Sequence, residues 1–416
     1  MNCIGYEIFE IFCKKKKISR FKLIISINLF KSLILRFNPI KTDIMMKKNI
    51  KKLFQIKLIL ILLICSIVAN AQVHPDFTTI KSIPTSPVKN QYQTGTCWSF
   101  ATISFLETEA LRVGKPVFDL SEMYIVKHAY NDKAKKYIRY QGKANFSEGG
   151  QAHDVLNVIR KFGIVPEEVY SGLKNGNTTH NHSEMESVLE GMLKGIVGSK
   201  SIAPSANWSP AFNSTIENYL GPEPTEFKYQ GKSYDPSNFA KNALGINPND
   251  YIELTSYKTY PLYQKVDLEI PDNWSHDLYY NVSINDIMSV VDNALNTGFS
   301  VAWDGDVSEE DFNHGAGTAV LSLKETDGII INGIEDMRQI TFDDFTTTDD
   351  HLMHITGYAK DKDGAIFYLT KNSWGENSNQ YGGYLFMSTW YLQLKSIAIL
   401  VHKDAVPKEL KKRLGI

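Results

Sequence analysis

The chain has 416 residues, 43% of them hydrophobic and 22% charged, which suits one large or two ordinary globular domains and excludes a low-complexity or fibrous chain. Its net charge of −1 hides a split. Residues 1–71 hold 14 Lys+Arg against 3 Asp+Glu, which leaves the rest of the chain at −12 and argues against a nucleic-acid partner bound through its phosphates.

First in chain order comes an export signal. "MKKNIKKLFQIKLILILLICSIVANAQ" starts at Met46 with a basic segment, continues with an apolar run from about Leu58 to Val68, and ends on the small-x-small triplet Ala69-Asn70-Ala71. That pattern predicts cleavage near Ala71 and an exported, periplasmic or secreted product. The apolar run is shorter than the roughly 20 residues that span a bilayer, so no stable membrane insertion is expected after cleavage. Residues 1–45 read as an upstream extension without fold information.

Cysteine usage sharpens this reading. Cys3, Cys13 and Cys65 fall in the removed part, and Cys97 alone remains. No internal disulfide can then form, although the compartment would permit one. An unpaired thiol there is an oxidation liability, which shifts Cys97 from packing toward chemistry.

Residues 72–96 read as extended, with Pro84 and Pro87. "TCWSFATISFLETEALRVG" is predicted helical, because Phe100, Ile103, Leu106, Ala110 and Leu111 keep a 3.6-residue spacing before Gly114 and Pro116 stop it. "LSEMYIVKHAY" is a second helix capped by Ser121, and "GGQAHDVLNVIRKFG" a third ending at Gly163. Residues 171–270 are rich in Asn, Ser, Pro and Tyr with weak periodicity, and long loops with short elements are expected there. "INDIMSVVDNALNTG" is a further helix. "FSVAWDGDV", "LMHITGYAKD", "AIFYLTKNSW", "GYLFMS" and "SIAILVHK" are short strands between Gly, Asp and Asn turns. Residues 403–416 close the chain as a basic tail. Helices followed by strands predict an α+β protein of two packed lobes, with a cleft between them.

A thiol nucleophile needs a proton acceptor, an orienter for that acceptor and donors for the oxyanion. Cys97 stands in the first turn of its helix, where free N–H groups and the helix dipole favour thiolate. Gln91 can offer its side-chain amide to an oxyanion beside the Cys97 N–H. Ten histidines follow residue 71, and two compete in "DDHLMHITGYAKD", His351 and His354. Strand alternation puts them on opposite faces, so both cannot face one cleft. Asn372 in "KNSWG" can orient an imidazole, and Trp374 can shield that bond from water. Each of these residues alone is most often structural. Together with a single cysteine they form a set that needs neither metal nor cofactor.

"PVKNQYQTGTCW" resembles the active-site segment of papain-like cysteine peptidases, and "KNSWG" resembles their asparagine segment. The signature C-G-[SA]-C-[WY] reads here Thr94-Gly95-Thr96-Cys97-Trp98, so the first, disulfide-forming cysteine is replaced by threonine. Together with "EGGQAHDVLNVIRKFGIVPEE" and "VAWDGDVS", this is similar to the bleomycin hydrolase and aminopeptidase C branch. The resemblance implies a two-lobed papain-like fold over residues 72–402, with the helical lobe carrying the cysteine and the β-rich lobe the histidine and asparagine. It implies Cys97 as nucleophile, Gln91 as oxyanion donor, Asn372 as orienter and Trp374 as shield. The family's histidine precedes a Gly-Tyr pair by six and seven residues, and counting back from Gly357-Tyr358 gives His351, with Asp350 matching the Asp-His pair. Gly149 and Gly150 match the pair whose backbone binds substrate like an added strand.

The chain also departs from the family. Cys97 and His351 are 254 positions apart, against about 130–150 in papain-like enzymes, so residues 171–270 are assigned as a large insertion. The resemblance implies a cysteine peptidase acting on peptides, an aminopeptidase if the C-terminal tail lies in the cleft. A papain-like endopeptidase, or a silent peptide-binding protein on the same fold, are the alternatives. Homo-oligomerisation is left open.

Overall fold

The computed structural model describes residues 77–199 and 203–416. The signal, Ala71, Cys3, Cys13 and Cys65 lie outside the described residues. Of the four cysteines only Cys97 is described, and it is free and buried.

Strand β1 is Phe77–Ser82. Three helices follow, α1 Cys97–Arg112, α2 Glu122–Arg139 and α3 Ala152–Phe162. The Ser121 side chain caps α2 by accepting from the Tyr124 N–H, as its position before Glu122 predicts. Leu106, Ala110, Ile125, Val126 and Val155 are fully buried where the three helices meet. Lys135, Arg139 and Arg160 stay in water, whereas Lys127 and Lys133 of α2 and His153 and Asp154 of α3 are buried.

The segment 171–270 corrects the expectation of loops. It contains α4 Ser183–Val197 and α5 Trp208–Leu220, followed by a hairpin of β2 Phe227–Tyr229 and β3 Lys232–Tyr234. Each helix buries a stripe spaced four residues apart, Met185, Leu189 and Leu193 on α4 and Phe212, Ile216 and Leu220 on α5. Met192, Ile196 and Val197 on α4 and Trp208 and Tyr219 on α5 pack beside them, so both helices carry an apolar stripe at helical spacing. Both stripes join the core of the helical lobe.

The β-rich part holds β4 Tyr251–Thr255, β5 Gln264–Asp267, β6 Leu278–Asn281, helix α6 Ile284–Thr297 and β7 Val301–Gly305. Then come β8 Phe312–Asn313, β9 Thr318–Ala319 and two helices absent from the sequence reading, α7 Leu323–Asn332 and α8 Ile334–Asp343. The chain finishes with β10 His351–Asp361, β11 Ile366–Lys371, β12 Tyr384–Ser388, α9 Thr389–Lys395, β13 Ser396–His402 and α10 Lys408–Leu414. Among the described residues the sheet runs β5-β6-β4-β13-β7-β10-β11-β12-β9-β8, with β1 added to β10.

Alternation along the strands divides the two cores. Ala302, Leu352 and Leu400 face the helical lobe, whereas Trp303, Met353 and Ile399 face a second core built with α6. The residues read as a basic tail form α10, and its Leu410 and Leu414 are buried in that second core. Helix α10 therefore packs across the sheet from the lobe that carries Cys97.

Candidate active site

Two chain segments are stitched together to build the site. Residues 89–93 run beside the turn that follows β11. The Gln91 N–H donates to the Ser373 carbonyl at 2.8 Å, and the Gly375 N–H donates to the Lys89 carbonyl at 3.0 Å. This pairing holds Gln91 and Asn372 at one place although 281 positions separate them.

Cys97 is the first residue of α1 and 8% exposed. Thr96 precedes it without a side-chain cap, so the first N–H groups of the helix are not taken up by a capping side chain. The backbone of Leu352, next to His351, donates to the Cys97 sulfur. Thr94 bonds the Gln91 carbonyl at 2.9 Å and the Thr96 hydroxyl at 2.6 Å, which clips the loop where relatives of the signature use a disulfide.

The Gln91 amide is fixed at both ends. Its Nε2 donates to the Thr94 carbonyl at 2.7 Å, and its Oε1 accepts from the Ser373 hydroxyl at 2.6 Å. One Nε2 hydrogen is thereby used and the second is free to meet an oxyanion. His351 Nε2 lies 2.8 Å from Asn372 Oδ1, which also accepts from the Ser373 N–H at 2.7 Å. A backbone N–H can only donate, so this oxygen is an acceptor and His351 must carry its proton on Nε2. Its Nδ1 is then left with the lone pair. Trp374 stacks obliquely on the imidazole with ring centres 5.1 Å apart and screens the bond.

A thiol at a helix start, an imidazole with a free nitrogen and an oriented amide form the set that thiol acyl transfer requires. The Peptidase C1-like family profile matches residues 63–198 and 223–415.

The chain belongs to the Peptidase C1-like family.

Within that family it is 22% identical to aminopeptidase C of Lactobacillus helveticus over 389 residues, covering 82% of this chain and 86% of the relative. It is 23% identical to mitochondrial cysteine proteinase 1 of Saccharomyces cerevisiae over 381 residues, covering 80% and 78% of the two chains. Among solved structures, PepW from Lactobacillus rhamnosis superimposes with a TM-score of 0.66 at 19% identity, over 90% of this chain and 95% of that one, which establishes the papain-like fold. The protein is a cysteine peptidase, as this Peptidase C1-like membership and its named relatives require.

For this Peptidase C1-like chain the two competing histidines separate cleanly. His354 is fully buried, and its Nδ1 meets the Ser104 hydroxyl of α1 at 2.9 Å, beside Lys371 on the neighbouring strand. It belongs to the seam between the lobes. Gly150 packs against the Trp98 ring, and any side chain at Gly149 would collide with the Asp272 carboxylate. The Gly149 carbonyl accepts from the Lys133 ammonium.

Several neighbours escaped the sequence reading. His314 is one: its Nδ1 lies 3.2 Å from Asn372 Nδ2, and its ring stands edge-on to Trp374 at 4.7 Å. It comes from the loop between β8 and β9 in "DFNHGAGT", which offers no recognisable motif. Ser373 sits inside "KNSWG", where its two anchoring bonds were discoverable only from the fold.

Burial disfavours charge on both reacting groups. The Cys97 thiol is pushed up to about 12, chiefly by loss of solvent, and the His351 imidazole is pushed down to about 4 for the same reason. The Asn372 bond raises His351 again, and the Leu352 N–H lowers Cys97. Taken singly, each group is neutral at pH 7.

Proposed function

We propose that this cysteine peptidase is an aminopeptidase working through Cys97, His351 and Asn372. The observation that carries the reading is the 2.8 Å bond between His351 Nε2 and Asn372 Oδ1, because it leaves Nδ1 as the base. As the Cys97 sulfur attacks the peptide carbonyl, its proton passes to His351 Nδ1 and the S–C bond forms. The carbonyl electron pair becomes an oxyanion, which the Cys97 N–H and Gln91 Nε2 receive. Collapse breaks the C–N bond, and His351 returns the proton to the departing amine. Water, deprotonated by His351, then splits the thioester and restores Cys97.

The exo mode is supported by relatives named aminopeptidase C that align along most of both chains. Two further parts of the reading rest on the sequence alone, namely export after cleavage near Ala71 and a substrate strand laid along Gly149 and Gly150. N-terminal sequencing of the secreted or periplasmic product tests the first. Mass spectrometry of products from a mixed peptide library tests the mode of cleavage: stepwise loss from the amino end is expected, and internal fragments would instead favour an endopeptidase.

A further inference from the structure

The floor of the cleft beside Cys97 holds carboxyl groups that the mechanism does not use, and burial pushes Asp304, Asp349 and Asp272 above the usual carboxylate range. In the β7–β10 ladder Asp304 stands opposite Leu352, whose N–H serves the Cys97 sulfur. Asp304 is 3% exposed, and among the described residues no hydrogen-bond donor serves either of its carboxylate oxygens. Its partner is Asp349, itself a carboxyl group, and the two share a proton, because burial and the Asp349 charge hold Asp304 well above the usual carboxylate range. A buried carboxylate without a donor is costly, so a structure that retains one has a use for it or a proton to share.

Two more carboxylates ring this floor. Asp349 is partly exposed and accepts from Gln151 Nε2 at 2.8 Å, which holds it toward the cleft two residues before His351. Asp272, also partly exposed, lies against Gly149 and accepts from Asn145 at 3.1 Å. The charges acting most strongly on Asp304 are all negative, those of Asp349, Asp272 and Glu253. The nearby cations bond backbone carbonyls, and among the described residues no hydrogen bond joins them to the three carboxylates. Arg338 donates to the Ser256, Gln393, Leu394 and Ser396 carbonyls, and Lys133 to the Ser147 and Gly149 carbonyls. The result is a buried acceptor with a partly open acidic rim, next to the nucleophile and the glycine pair, where the Lys133 ammonium on Gly149 acts on Asp272 while the charges acting most strongly on Asp304 and Asp349 are those of carboxylates.

We propose that Asp304, Asp349 and Asp272 form a subsite for a cationic group of the peptide on the acyl side of the scissile bond, an α-ammonium or a Lys or Arg side chain. This rests on the reading of Cys97 as the nucleophile of a peptidase. An ammonium offers three donors, enough to serve Asp304 together with the two rim carboxylates. The subsite supplies an acidic group for the substrate amine from within the cleft. Helix α10 lies elsewhere, with Leu410 and Leu414 buried in the second core.

The test is calorimetric binding to the full chain carrying Cys97→Ala, so that no turnover is needed. Ala-Ala-Ala amide is compared with its N-acetyl form, and acetyl-Lys-Lys-Ala amide with the norleucine pair. The same peptides are then measured after adding Asp304→Asn or Asp349→Asn. The cationic member should bind at least about 30-fold tighter, and either Asn variant should erase most of that advantage. An advantage of the free amine over the acetylated peptide assigns the α-ammonium, and an advantage of lysine over norleucine assigns a side chain. If Asp304→Asn does not fold, the rim variant Asp349→Asn gives the same comparison. No preference for a cation, or one that survives both variants, overturns the subsite. Hydrolysis by the unaltered chain is scored separately, so failure of the peptidase reading is distinguishable from failure of the subsite.

Discussion

His314 and His351 are joined through one amide: Asn372 accepts from His351 Nε2 at 2.8 Å and donates to His314 Nδ1 at 3.2 Å. His314 in turn donates from Nε2 to the Ser378 hydroxyl at 2.8 Å, and Ser378 donates to the Gly375 carbonyl at 2.6 Å. Every donor in this chain points one way. The Asn372 amide cannot turn over without breaking a bond at each end, and His351 is kept with its proton away from Cys97.

That chain makes His314 a positioning residue. His314→Ala should lower kcat by up to about 100-fold while leaving KM near its original value, because the loss is one of orientation. His314→Gln, which can still accept from Asn372, should recover part of the rate. A change confined to KM would contradict the role.

The two strand histidines should fail differently. His351→Ala should abolish turnover in a well-folded protein. His354→Ala should cost about 2–4 kcal/mol in thermal or denaturant unfolding, by opening a buried site and freeing a bond of Ser104, while the folded fraction keeps its activity. The opposite assignment would move the base to His354.

The buried thiol makes a pH prediction. A thiol pushed up to about 12 is almost wholly protonated at pH 7, so its alkylation depends on a base that takes the proton. With His351 present, iodoacetamide should label Cys97 at neutral pH. In His351→Ala the labelling rate should be low at pH 7 and climb steadily above pH 9. An unchanged pH profile would mean that His351 does not serve the sulfur.

Truncation before Lys408 separates stability from mode of cleavage. Leu410 and Leu414 are buried against the second core, so loss of α10 should lower the unfolding midpoint, and Leu410→Ala alone should cost about 2–4 kcal/mol. The position of the scissile bond should not change. A switch to internal cleavage would place the chain's end in the cleft after all.

Much of the site was legible because its residues lie at sequence features that the fold preserves. Cys97 begins a helix whose apolar spacing is plain, and Asn372 and Trp374 directly follow a strand. The alternation in "HLMHITGY" separated His351 from His354 correctly, though it could not choose between them without the family pattern. What stayed hidden depends on long-range closure. His314 lies in a loop placed by Asn372, Trp374, Ser378 and Asn379, residues 58 to 65 positions away. The acidic floor gathers Asp272, Asp304 and Asp349 from two loops and a strand. Helices α4 and α5 carry apolar stripes at helical spacing that the polar composition of residues 171–270 as a whole masks, and α7 buries none of its residues.

The central claim is that Cys97 forms the acyl-enzyme with His351 as its base. Intact-protein mass spectrometry after rapid mixing with a slowly deacylating peptide ester reads that bond directly. The unaltered protein should gain the mass of the acyl group, mapped by digestion to Cys97, and Cys97→Ala should gain none and hydrolyse nothing. Peptide hydrolysis that continues in Cys97→Ala, or an adduct mapped to another residue, would contradict the account.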